Sequence, residues 1–349
     1  MERRHLGRTG RKTVLRPQSF IIASVALITG FFFLQHFRIS GLDRLKIENR
    51  DMPQELRTKI RPAESAPVVH RPGETIRVAS FSIQAFGEDK LKQPPMVDIL
   101  VRILRNFDIV AIQDIQCQHD DLLAALVEFI NEKGSHYEYA IGPRLSGAPG
   151  KEQLAFIFDR ESVELNRAQM YTMQDPENWM RREPLVAQFR VRGPAQDEAF
   201  TFTLVNVHVD PQAIIREINI LDNVYKAVRD DGLEEDDVIL LGNFGVDDRH
   251  FGEIADISGM VCVISGQATN TALTAQLDNL VFSERTTTEY TGRHGVFDFR
   301  KEFGLSKELA LSISDHMPVW AEFSIYEQNA MGRVASERNG SSLDRRLPR

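Results

Sequence analysis

The chain has 349 residues, enough for one large α/β domain or two small ones, and its 42% hydrophobic and 26% charged content is that of a globular protein. The formal net charge of −8 is unevenly spread: residues 1–37 carry six basic side chains against Glu2, residues 38–73 sum to +3 and residues 327–349 to +2, which leaves −18 on residues 74–326. So acidic a body argues against a general grip on duplex DNA through a basic face, and the two distant cysteines, Cys117 and Cys262, read as small buried hydrophobes rather than a disulfide framework or a metal site.

In chain order, residues 1–17 form a basic cytoplasmic segment and residues 18–37 an apolar run with no charged side chain, close to the ~20 residues that cross a bilayer. Arg3, Arg4, Arg8, Arg11, Lys12 and Arg16 precede it, so the positive-inside bias predicts a single-pass signal anchor, with the main domain outside the cytoplasm. No small-x-small cleavage site follows, which favours retention over removal. Residues 38–73, charged and punctuated by Pro53, Pro62, Pro67 and Pro72, read as a stalk, and residues 327–349 as a disordered tail.

Residues 74–326 alternate short β-type runs with helical ones. Strands are predicted over 76–83, 108–115, 153–158, 185–191, 200–207, 238–242, 260–264, 279–282 and 318–324, and helices over 96–106, 120–132 and 213–229. Several strands are apolar on both faces, which demands a covering layer on each side. The expectation is a four-layer α/β sandwich, two packed and mainly antiparallel sheets flanked by helices, preceded by one transmembrane helix. An open doubly wound sheet is the runner-up, but no glycine-rich phosphate loop supports it. No internal repeat is visible.

Polar groups gather at the carboxyl ends of these strands: Ser82 and Gln84, Gln113 and Asp114, Glu152, Asn206 and His208, Asn243, Asp278 and Asn279, Asp315 and His316. Taken singly, each reads as a turn or cap residue; taken together, two histidines and several acids suit metal-assisted hydrolysis of a phosphate ester, with Mg²⁺ held by oxygen ligands. The His/Cys cluster of a zinc site and the G-x-S-x-G of a serine hydrolase are both missing from the sequence.

The ordered set Ser80-Phe-Ser-Ile-Gln84, Asp108 to Asp114, Lys151-Glu-Gln153, Arg182-Glu-Pro184, Asn206-Val-His208, Leu241-Gly-Asn-Phe-Gly245, Leu277-Asp-Asn279 and Ser314-Asp-His-Met-Pro318 resembles the motifs of the endonuclease/exonuclease/phosphatase family, most closely its deoxyribonuclease I-like branch. The resemblance implies catalytic roles for Glu152 with His208 and Asp278 with His316, each carboxylate orienting an imidazole. It implies substrate-phosphate contact for Arg182 and Asn243, metal ligation by Asp114 and Asp315 with Asp315 also in the catalytic layer, and Mg²⁺, or Mn²⁺ in its place, as cofactor. A phosphodiester, nucleic acid foremost, is the implied substrate, and the membrane is the implied partner through residues 18–37. Four positions depart from the family pattern: Ser82 stands where Asn is usual, Asp114 for Glu, and Asn243 and Gly245 for the Asp and Asn of a Gly-Asp-x-Asn motif. These changes imply a thinned metal and phosphate layer. The alternative is a catalytically inactive relative that binds a phosphorylated ligand or a protein.

Overall fold

The first strand, β1 (Thr75–Phe86), alternates between two apolar environments, with Ile76 and Val78 facing one core and Ala79 and Phe81 another. The second, β2 (Ile109–Ile115), repeats this, with Ile109 and Ala111 on one side and Val110 and Ile112 on the other. Both strands are covered on both faces. The computed structural model describes residues 73–327 except 118, 146–151, 176 and 233–234.

From β1 the chain passes through α1 (Glu88–Leu91) and α2 (Pro94–Leu104) to β2, then through α3 (Leu122–Asn131) to β3 (Tyr137–Ile141) and β4 (Gln153–Asp159). It continues through β5 (Val163–Thr172), β6 (Leu185–Val191), β7 (Thr201–His208), α4 (Ile214–Asn219), α5 (Leu221–Arg229) and β8 (Val238–Asn243). After a 3₁₀ turn at Gly252–Asp256 come β9 (Met260–Cys262) and β10 (Asp278–Ser283), and then β11 (Tyr290–Val296), α6 (Phe299–Glu302), α7 (Lys307–Ile313) and β12 (Val319–Ser324).

Two six-stranded sheets result, ordered β11-β12-β1-β2-β4-β3 and β5-β6-β7-β8-β10-β9. In each, the two central strands run parallel, β1 with β2 and β7 with β8, while every other described pairing is antiparallel. Counted from β11 in one sheet and β5 in the other, the order is the same. The fold is therefore duplicated in topology although the sequence shows no repeat.

Phe156, Phe189, Phe202 and Phe323 fill the space between the sheets. Outside the first sheet, Leu100 and Leu104 of α2, Leu122 and Leu126 of α3 and Ile313 of α7 form a second core. Outside the other sheet, Leu221, Tyr225 and Val228 of α5 pack with Val207, Leu240 and Phe244. The predicted layering of two sheets within flanking helices is observed.

Three strands escape the sequence pattern, β3, β5 and β11, and all three are sheet edges. An edge strand needs no continuous apolar run, and the central residues of β5 and β11 are exposed. The helix predicted over 213–229 is two helices meeting at Ile220. Among the described residues no helix is long and apolar enough to cross a membrane; the anchor predicted at 18–37, the stalk up to residue 72 and the tail beyond 327 lie outside the described residues.

Candidate active site

Parallel strands end where their antiparallel neighbours begin, so this topology brings the carboxyl ends of β1, β2, β7 and β8 to the same edge as the starts of β4, β10 and β12. The register shows it: Ser82 pairs with Gln113, His208 with Asn243, and Asn243 in turn with Asp278. Gln113 Nε2 donates to Asn206 Oδ1 at 2.7 Å, and Asn206 Nδ2 donates to the carbonyls of Ile112 and Ala155, so one buried amide network joins the two sheets beneath the edge.

Above it, Glu152 is fully buried and accepts on both oxygens. His208 Nδ1 is bonded to Oε1, the Asp114 backbone N–H donates to the same oxygen at 3.2 Å, and Arg182 Nε donates to Oε2 at 2.6 Å. Burial opposes ionisation of Glu152, but the hydrogen bond and charge of His208, with Arg182 behind them, outweigh it and hold the carboxyl below its ordinary range. Arg182 is itself buried, and its Nη1 has no hydrogen-bond partner. The predicted phosphate contact is thus first of all the partner of Glu152, with one donor to spare.

The second pair is Asp278 and His316. His316 Nδ1 lies 2.8 Å from Asp278 Oδ2, which also accepts from Thr269 Oγ1 at 2.8 Å. Burial alone would depress the imidazole, but the charge and hydrogen bond of Asp278, joined by Asp315 and Asp114, overcome it and push His316 up to about 9. Nδ1 faces the carboxylate in both pairs, which leaves Nε2 of each ring for a substrate.

The four departing positions have distinct surroundings. The Ser82 carbonyl accepts from Ser314 Oγ at 2.7 Å, tying β1 to the segment before β12. Asp114 sits at φ 63°, a region Asp enters more readily than most residues, and its Oδ2 accepts the Ala85 N–H at 2.7 Å while Oδ1 accepts from Gln116 at 2.5 Å. Burial raises the Asp114 carboxyl despite these bonds. Asn243 Oδ1 accepts the Gly245 N–H at 3.1 Å, which turns its NH₂ toward His316 Nε2, 3.5 Å away. Gly245 has φ 69°, and an added Cβ would meet only Ile214, at 3.4 Å.

Asp315 Oδ2 accepts from Gln84 at 3.2 Å, while its Oδ1 is buried without a hydrogen-bond partner, 3.8 Å from His316 Nε2. An orphaned carboxylate oxygen beside Asp114 and His316 suits a hard cation, since such an ion prefers oxygen ligands. The close groups of three acidic side chains among the described residues nevertheless lie elsewhere, around Asp237. Asp247 and Asp248, the carboxylates that follow Gly245, are engaged within their own loop: Asp247 with Arg249 and His250, Asp248 with Ser265 and Gly266. They line a cavity of about 610 Å³ that opens beside Gly245.

Two positioning residues carried no sequence signal. Glu217 is fully buried and accepts the backbone N–H groups of Arg181 and Asp210, so it fixes the segments on which Arg182 and His208 stand. Lys90 donates to the carbonyls of Ser312 and Ile313, both at 2.8 Å; burial lowers its pKa, and the charges of Asp315 and Asp114 act against that.

No protein-family model matches the chain. Deoxyribonuclease gamma of Rattus norvegicus is 29% identical over 273 residues, covering 73% of this chain and 86% of that protein. Deoxyribonuclease-1 of Bos taurus is 29% identical over 262 residues, covering 71% of this chain and 92% of its own. Among solved structures, a humanised D. rerio TDP2 superposes with a TM-score of 0.50 at 15% identity, over 72% of this chain and all of that one, a likeness of fold.

Proposed function

Because the chain belongs to the deoxyribonuclease I-like branch of the endonuclease/exonuclease/phosphatase family, we propose that it is a phosphoric ester hydrolase that cleaves a phosphodiester, with nucleic acid as its substrate class. The observation that carries this reading is the convergence of two carboxylate–imidazole pairs, Glu152–His208 and Asp278–His316, on one edge of the sandwich. In this reading His208 Nε2 takes the proton of the attacking water as the new P–O bond forms. His316, held as imidazolium by Asp278, donates from Nε2 to the phosphoryl or departing oxygen as the old P–O bond breaks. The spare Nη1 donor of Arg182 and the Asn243 NH₂ bind phosphate oxygens.

Asp114 and Asp315 would hold the divalent cation, with the orphaned Asp315 Oδ1 as its first ligand. Mg²⁺ is the proposed ion and Mn²⁺ its substitute. When bound, such an ion supplies charge stabilisation at the phosphoryl oxygens. The shorter Asp114, tied to Ala85 and Gln116, and the bare Gly245 give a weaker grip than the family pattern, so the proposed enzyme is slow. The anchor, on the strength of residues 18–37 and the basic segment before them, tethers this domain outside the cytoplasm.

The same departures favour a second reading, an inactive module that retains a phosphorylated ligand. Assay of the full-length chain with Mg²⁺ and with Mn²⁺ on plasmid DNA, RNA and a small chromogenic phosphodiester separates the two. Turnover that His208→Ala abolishes supports hydrolysis; turnover indifferent to that change refutes the assignment, and no turnover with retained phosphate binding supports the module.

A further inference from the structure

The chain has two tryptophans, and they stand in different settings. Trp320 lies on β12, partly buried, with the Arg77 guanidinium over its ring at 4.7 Å. Trp179 is 46% exposed, three residues before Arg182. Its indole is nevertheless held in place. Nε1 donates to Glu177 Oε2 at 2.6 Å, Asn178 before it takes φ 56° with its N–H on the Asp175 carbonyl, and Met180 after it is buried with its N–H on Asp175 Oδ2. An indole whose polar edge is already satisfied has only its faces left to offer.

Those faces stand close to the catalytic edge. Three residues of chain reach at most about 10 Å, and Arg182 carries the spare Nη1 donor beside Glu152. Between them, Arg181 Nη1 lies 2.9 Å from Asp210 Oδ2, and the Arg181 backbone N–H donates to Glu217 of α4. The stretch is thus fastened across the start of α4, where Ile215 is 81% exposed. Ile214 beside it is the side chain that faces Gly245, and the exposed Leu273 borders the cavity there, on a turn that the Thr271 N–H bonds to the Asp315 carbonyl. Of the five large apolar side chains exposed among the described residues, three therefore belong to segments bonded to the site. Exposed hydrophobics scattered singly need no explanation, but a set of them along one functional edge does.

The charge balance decides what these side chains meet. Duplex DNA is gripped through its phosphates by a basic surface, which a domain of charge −18 does not supply. Arg181 is already paired with Asp210, and Glu177 stands on the indole edge, so a second phosphate finds little free positive charge beside Trp179. An unpaired base is different: its face is uncharged, and an aromatic side chain stacks on it whatever the base. We propose that Trp179 is a stacking platform for the base next to the scissile phosphate, with Ile215 and Leu273 as further apolar contacts, and that the substrate is single-stranded nucleic acid. The inference rests on the phosphodiesterase reading above and narrows its substrate class.

Tryptophan fluorescence tests it without turnover. The full-length chain in Mg²⁺ is titrated with phosphorothioate-linked strands, which resist hydrolysis: a single-stranded oligothymidylate, an abasic strand and a duplex, all of equal length. The single strand quenches the emission and binds at least about fivefold more tightly than the other two. Trp179→Ala removes the quench and weakens the single strand by about 5–100-fold, while the abasic strand stays within about twofold of its wild-type affinity. Trp179→Phe, which still stacks, recovers most of the affinity, and Trp320→Phe keeps the quench. Undiminished binding of the single strand by Trp179→Ala, an equal weakening of the abasic strand, or a duplex held as tightly as the single strand overturns the stacking role and leaves hydrolysis of the chromogenic phosphodiester untouched. Failure of the wild type to bind any of the three overturns both this proposal and nucleic acid as the substrate class.

Discussion

Replacing Asp278 with Asn removes the carboxylate that keeps His316 charged while preserving the shape of the site. The imidazole stands at about 9 against an ordinary 6.5, because Asp278, with Asp315 and Asp114, overcomes the effect of burial. A group whose folded pKa is raised contributes stability that is fully present below its unfolded value and is lost as the pH rises through the folded one. Linkage from 6.5 and about 9 gives about 3 kcal/mol well below pH 6.5, about 2–3 kcal/mol at pH 7 and almost nothing at pH 10. Asn retains an oxygen for Thr269 Oγ1, so little packing or hydrogen bonding is lost with the charge. Urea denaturation of wild type and Asp278→Asn at pH 6, 7.5 and 10 then shows a difference of about 2–3 kcal/mol at neutral pH that fades below about 0.5 kcal/mol at pH 10. An equal loss at pH 6 and pH 10 would mean that Asp278 acts through packing, and the charged His316 assigned to the site would fall with it.

Arg182→Met leaves Glu152 buried with Oε2 stripped of its hydrogen bond from Arg182, and the cost is about 3 kcal/mol in urea denaturation at pH 7; a loss below about 1 kcal/mol contradicts the pairing. Asn206→Ala strips three buried hydrogen bonds between the sheets and lowers stability by about 2–4 kcal/mol, read from the shift in denaturation midpoint. Gly245→Asn alone is tolerated within about 1 kcal/mol, since Asn accepts a positive φ and Ile214 is the one side chain its Cβ meets, whereas Gly245→Val costs clearly more. Combining Gly245→Asn with Asn243→Asp, Asp114→Glu and Ser82→Asn raises metal-dependent turnover at least tenfold; a folded variant with no gain shows that these four positions do not limit the rate.

What the sequence made legible follows physical lines. Central strands such as β2 and β8 must be apolar on both faces, and that demand writes itself into continuous runs. Edge strands answer to no such demand, so β5 and β11, half in water, left no run to read. The site residues stood out because strand ends concentrate polar groups, and Glu152 with His208 and Asp278 with His316 do meet. Arg182 shows the limit of that reading: its type fits a phosphate contact, yet its Nε lies on Glu152. Glu217 and Lys90 were illegible for another reason. Their roles depend on which backbone groups the fold brings to them, Arg181 and Asp210 for one and Ser312 and Ile313 for the other, and of these only Asp210 is near in sequence.

Whether the two histidine pairs act as one catalytic unit is decided most directly by kcat/KM on a small phosphodiester for wild type, His208→Ala, His316→Ala and the double variant, with Mg²⁺ and with excess chelator. Each single change is expected to cost about 10²–10⁴-fold, the double change little more than the worse single one, and the chelator to remove turnover from the wild type. Turnover that survives both substitutions, or single losses that multiply in the double variant, would contradict the account.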